Sequence, residues 1–203
     1  MASRPRSADP LPWRPVHATR SCTLVLAASA SVLAPACVID EVSDYDVGEA
    51  RWCEAATPWP TDYGELEQAL LDRIDTLRRQ GRTCGDDRHN PVATPELSPE
   101  LRCASRVQAT YLAEHAEVTH DGIDDTSALS RAALAGYRGS LRYELLAADY
   151  GGPGATLAAW LDDEDHCSAL FDRTIVDIGI GHSRSESGDG AGWVVMLGEQ
   201  RDD

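Results

Sequence analysis

The chain is 203 residues long and carries 34 acidic against 18 basic side chains, every one of those 18 being Arg. A formal net charge of -16 argues against nucleic acid and anionic membrane surfaces as partners, because polyanions are held by Lys/Arg clusters that release counterions. At roughly 100–200 residues per domain, the length allows one globular domain plus extensions.

The first segment reads as an export signal. Arg4, Arg6, Arg14 and Arg20 face only Asp9 in residues 1–20, and residues 22–36 (CTLVLAASASVLAPA) are apolar and small. A basic start before an apolar run shorter than the ~20 residues of a bilayer span predicts a signal peptide over 1–36. Ala34 and Ala36 suit ordinary cleavage, while Ala36-Cys37 resembles a bacterial lipobox. Cysteine arithmetic favours the lipobox: cleavage before Cys37 discards Cys22, lipidation consumes Cys37, and Cys53, Cys84, Cys103 and Cys167 remain as an even set. The expectation is an exported protein that touches the membrane only through a lipid on Cys37. Residues 37–62 are acidic, contain Pro and lack periodicity, which predicts a tether. Trp52 and Trp59 around Cys53 predict that its second half packs on the domain, which is expected to span 63–203.

From Glu65 the residues Leu66, Leu70, Ile74 and Leu77 form one stripe at helical period, with Arg78 and Arg79 near the end and Gly81 as the stop. Residues 83–97 read as a loop. Ser98 as N-cap and Pro99 at the first turn open a second helix reaching about Ala116. A third is expected over 127–135, ended by Gly136, and a fourth over 155–161 after the Gly151-Gly152-Pro153-Gly154 break, with one further turn over 166–171. The period then changes: residues 174–181 and 192–198 are β-branched and apolar, joined by a turn-rich stretch, and read as adjacent antiparallel strands. Helices first and a C-terminal hairpin last imply an α+β layer fold.

No P-loop, GxGxxG, GxSxG, HExxH or paired CxxC motif occurs. The acidic run over 162–165 lacks the spacing of a calcium loop. His120, Glu144 and His166 remain as a dispersed constellation. Two His and one carboxylate with an open position would suit a divalent metal such as zinc, but their wide separation along the chain does not by itself bring them together. His89, His115 and His182 fall in loops or on helix flanks without a nameable partner, and Ser127, Ser130 and Ser168 have no assignable base.

Ordered fragments along residues 66–198 resemble one family. The helix beginning Leu70-Leu71-Asp72-Arg73-Ile74, Thr119-His120 after the second helix, Ala135-Gly136-Tyr137, Tyr143-Glu144-Leu145-Leu146-Ala147, Trp160 with His166-Cys167, and Ile178-Gly179-Ile180-Gly181 before a closing strand occur in the expected order. Together they resemble the bacterial CAP domain, the SCP-like family of cysteine-rich secretory proteins, antigen five and pathogenesis-related proteins. The resemblance implies a three-layer α-β-α sandwich with His120, Glu144 and His166 in its cleft. It also implies Cys84–Cys167 pairing, which leaves Cys53–Cys103. Three positions depart from the pattern: Tyr143 and Leu145 stand where Gly and Asn flank the cleft Glu, and Asp163 where a Ser or second Glu is usual. The family brings no general enzymatic activity, so the expected role is a binding or interaction module for an extracellular ligand or protein. The alternatives are a metal-assisted hydrolase using the same cleft and a structural envelope protein whose cleft is vestigial.

Overall fold

The computed structural model describes residues 47–199 and, as backbone only, the two-residue strand β1 (Val42–Ser43). The expected signal peptide, Cys22, the lipidation site Cys37 and most of the first half of the expected tether lie outside the described residues. From Val47 onward the chain belongs to the domain. A 3-10 turn over Arg51–Ala56 buries Cys53 and Ala56, and β2 (Trp59–Pro60) pairs with β1.

Five helices follow the sequence signals closely. α1 (Thr61–Gln80) buries Leu70 and Ile74 and stops at Gly81, whose φ of 71° suits a residue without a side chain. It begins before the apolar stripe because its first turn is polar and holds Asp62 at the positive end of the helix dipole. α2 (Pro99–His115) is capped by Ser98, whose Oγ accepts from the Leu101 N–H at 3.2 Å. Ser127 caps α3 (Ala128–Leu134) in the same way through the Ser130 N–H. α4 (Pro153–Asp162) leads into α5 (Glu164–Leu170), and Asp163 caps α5 by accepting from the His166 N–H at 2.8 Å. That cap gives Asp163 a structural task.

The strands are more numerous than the periodicity reveals. The stretch read as a loop contains a small hairpin, β3 (Arg82–Cys84) with β4 (Asp87–His89), and the short strand β5 (Glu96–Leu97). A long strand, β6 (Ser140–Ala148), lies between α3 and α4. With β7 (Asp177–Arg184) and β8 (Ala191–Glu199) the main sheet runs β5-β7-β8-β6, parallel at β5–β7 and antiparallel elsewhere. β6 escapes the alternation test because Leu145, Leu146 and Ala147 are apolar on both faces and a register shift interrupts it between Leu141 and Tyr143.

Side-chain alternation sorts the core into two layers of packing. Trp193, Val195 and Leu197 of β8, with Ile178 and Ile180 of β7, pack against Leu70 and Ile74 of α1, Leu157 and Trp160 of α4 and Leu170 of α5. Val194 and Met196 face the other way, onto Leu101, Ala104, Ala109 and Leu112 of α2 and Ala132 of α3. The result is an α-β-α sandwich. Two buried disulfides staple the two core layers: Cys53–Cys103 ties the 3-10 turn to α2, and Cys84–Cys167 ties β3 to α5.

β5 covers only the first two residues of β7. Further along that strand a buried carboxylate replaces a neighbour: Glu67 of α1 accepts from the His182 N–H at 3.1 Å, from Trp59 Nε1 at 3.0 Å and from the Arg106 guanidinium at 2.7 Å. An otherwise unpaired strand edge is thereby closed by a charge pair joining α1 to α2. No helix among the described residues is long and apolar enough to cross a membrane.

Candidate functional site

Glu144 sits opposite Met196 in the β6–β8 register and points toward the α2–α3 side of the sheet. Its side chain is only 3% exposed, so its charge needs partners. Arg131 of α3, fully buried, donates from Nη2 to Glu144 Oε1 at 2.7 Å and to the His120 carbonyl at 3.0 Å, and from Nη1 to the Thr126 carbonyl. His120 Nδ1 lies 2.7 Å from Glu144 Oε2. An ionised carboxylate only accepts, so this nitrogen is the protonated one and the ring is left with Nε2 for a ligand. The imidazole itself is 67% exposed. His120 is delivered by a reversal after α2, where Ala116 takes a left-handed φ of 50° and Gln108 Nε2 donates to the Thr119 carbonyl at 2.8 Å.

Two open cavities meet at Glu144. One of about 630 Å³ is lined by His89, Tyr143, His166, Ser168 and Asp172, and one of about 350 Å³ by His120, Asp121, Leu129 and Leu141; Arg142, Tyr143 and Glu144 border both. The register shift at Arg142 turns Leu141 to the same side as Glu144, which gives the smaller cavity its apolar wall.

The two departures beside Glu144 are explained by strand geometry. Leu145 points to the opposite face and is 1% exposed within the α1–α4 core, so it does not crowd the carboxylate. Tyr143 donates its hydroxyl to Asp172 Oδ2 at 2.9 Å. Burial, reinforced by that carboxylate, pushes the Tyr143 phenol up from its ordinary value. Burial alone would raise Asp172, but the Thr174 N–H and hydroxyl and the Tyr143 hydroxyl outweigh it and hold the carboxyl below the usual range.

The structure thus hydrogen-bonds His120 to Glu144, while His166 lines the larger cavity that Glu144 also borders without contacting either residue through a hydrogen bond. His166 belongs to the first turn of α5 in the larger cavity, with Nδ1 3.3 Å from Asp163 Oδ1. Among the described residues no group of three His, Cys, Asp or Glu is gathered closely enough to hold a metal ion. Both Glu144 oxygens are already hydrogen-bonded, and His120 Nε2 is the one imidazole nitrogen left open beside them, so the donors gathered at this point fall short of the three protein ligands a zinc site takes. Arg131 is the residue that sequence reasoning missed. Its signal is faint, a lone Arg within the small, largely apolar helix ALSRAAL. Also unforeseen is the contact of His89 Nε2 with Ser168 Oγ at 3.2 Å.

No curated protein matches the chain. Among solved structures, an outer surface protein of Borrelia burgdorferi is similar at 20% identity with a TM-score of 0.54, covering 68% of this chain and 94% of that one. An extracellular protein containing an SCP domain from Bacillus anthracis is similar at 14% identity with a TM-score of 0.57, covering 68% of this chain and 41% of that one. At these identities the likeness is one of fold. The sequence itself matches the cysteine-rich secretory protein family, CAP, over residues 71–197, well over half of its length, and the chain belongs to that family.

Proposed function

We propose that the protein is an exported binding module, tethered through a lipid on Cys37, whose ligand docks in the two-lobed cleft over Glu144. The observation that carries this reading is the state of the carboxylate. Arg131 and His120 occupy both of its oxygens, so Glu144 organises the cleft wall, while the exposed His120 ring offers the ligand contact. Export is supported by the two disulfides, which persist in oxidising compartments. The Cys37 anchor rests on the cysteine count.

Zinc serves as the discriminating probe. The full-length protein is titrated with zinc by calorimetry, alongside His120→Ala and His166→Ala, and the zinc-loaded samples are assayed on ester, peptide and phosphoester panels. The module reading expects no zinc-dependent turnover. Zinc-dependent hydrolysis that disappears in His120→Ala would overturn it in favour of a metal-assisted hydrolase. For the anchor, labelled palmitate is expected in the wild-type protein and absent from Cys37→Ala; equal incorporation would remove that part.

A further inference from the structure

We propose that Ser168 and His89 form a nucleophile–base pair for acyl transfer in the larger lobe of the cleft, with chemistry that uses neither His120 nor Glu144. Ser168 Oγ and His89 Nε2 are 3.2 Å apart, the separation at which an imidazole can take a hydroxyl proton. Their elements are remote in sequence, and a covalent link holds them together. His89 ends β4, whose hairpin partner β3 ends in Cys84, and Cys84 is bonded to Cys167, the residue before Ser168. The His89 ring also stacks on Phe171, one helical turn beyond Ser168, with centroids 5.7 Å apart and planes 25° apart. Packing on one side and a disulfide on the other fix the ring against the hydroxyl.

Both residues are half-buried and line the cavity of about 630 Å³, so a substrate carbonyl has room to approach Oγ. Arg142 and the His166 ring line the same cavity and carry N–H donors. With the Glu144 charge balanced by Arg131, Asp165 and Asp172 outweigh Arg142. That wall disfavours anionic substrates and suits a neutral or cationic ester of a short acyl group.

In the first half-reaction Oγ bonds to the carbonyl carbon as its proton passes to His89 Nε2. The tetrahedral adduct then expels the alcohol, which takes that proton. In the second, Nε2 accepts a proton from water as the hydroxide adds to the acyl carbon, the Ser168 ester bond breaks, and the proton returns to Oγ. Water is the only co-reactant, and no electrons are exchanged with a redox partner.

The test uses the full-length protein with both disulfides intact, in the presence of a chelator so that zinc plays no part. A fluorophosphonate probe is followed by intact mass and peptide mapping, and p-nitrophenyl acetate by release of nitrophenol. A single adduct on Ser168 is expected, absent from Ser168→Ala, slowed at least tenfold in His89→Ala and partly restored there by added imidazole. An acetyl-ester burst should be lost in the same variants. Non-reducing mass confirms Cys84–Cys167 in each variant, so a misfolded sample is recognised; His89→Asn serves if His89→Ala fails that check. Absence of a Ser168 adduct in the disulfide-intact wild type, or labelling equally fast without the imidazole, would overturn the pair and leave the Glu144 cleft reading untouched.

Discussion

Arg131 and His120 touch the same carboxylate, yet they stand on opposite sides of the burial divide. Removing the guanidinium leaves an ionised Glu144 whose side chain is 3% exposed, whereas removing the imidazole deletes a ring that is 67% exposed. Uncompensating a buried charge costs about 3–5 kcal/mol, and exposed substitutions stay within about 0.5 kcal/mol. Arg131→Met should therefore lower the urea-unfolding free energy by about 3–5 kcal/mol, with much of the loss recovered in the Arg131→Met/Glu144→Leu double variant. His120→Ala should be nearly silent in the same assay. Equal losses for the two single variants would mean that His120 is structural. This asymmetry also shows what was legible at this scale. His120 and Glu144 were found because family resemblance supplied a three-dimensional neighbourhood that spacing could not. Arg131 was not, because a buried Arg inside a short helix looks in sequence like a solvent-facing one. Ser168 lacked a base for the same reason: His89 reaches it across a disulfide.

At the scale of elements, α2 lies close to the sheet because glycines stand beneath its backbone at Gly179 and Gly181 of β7 and Gly192 of β8. A Cβ placed on Gly179, Gly181 or Gly192 would collide with the α2 backbone at Leu101, Ser105 or Ala109, respectively. Overpacking of this kind costs typically 1–3 kcal/mol, occasionally more, when backbone must move. Gly181→Ala is thus expected to destabilise by about 2–3 kcal/mol, while Gly151→Ala, with nothing within 4 Å of the added carbon, should change stability by less than about 0.5 kcal/mol. Thermal unfolding of the two variants checks this, and a harmless Gly181→Ala would show that α2 is free to shift. The glycines of β7 were visible in sequence as Ile178-Gly179-Ile180-Gly181, and so was the helix that uses them. β6 was not, since apolar residues on both faces and the shift at Arg142 erase its period of two. Four of the five helices were legible because a cap, break or stop with local chemistry marks them: Gly81 ends α1, Ser98 opens α2, Gly136 follows α3, and the Gly151–Gly154 break precedes α4.

At the scale of the whole molecule, the buried centre around His182 makes stability depend on pH. His182 is 1% exposed, stacks on Trp193 at 3.9 Å between centroids and meets Tyr63 edge-on at 5.2 Å. Its Nδ1–H donates to the Gly192 carbonyl at 3.0 Å, and its buried Nε2 has no hydrogen-bond partner among the described residues. Burial pushes its pKa from 6.5 down to about 4, against the pull of the Gly192 carbonyl. The unfolded chain therefore binds a proton that the folded one refuses between those values, and the contribution present above pH 6.5 is lost as pH falls toward 4. Glu67 works in the opposite sense: burial raises its carboxyl despite Arg106, so its share is present at low pH and is lost as pH rises through the folded value. Absolute acid stability mixes the two, but the difference between wild type and a non-titrating ring isolates His182. His182→Phe keeps an aromatic face for Trp193 and abolishes the proton site. Between pH 7 and pH 4.5 the wild type should lose about 2–3 kcal/mol more unfolding free energy than His182→Phe, following the linkage of 1.36 kcal/mol per pKa unit. Urea titrations at the two pH values measure it, and parallel losses in the two proteins would show that the imidazole is solvated in the folded state.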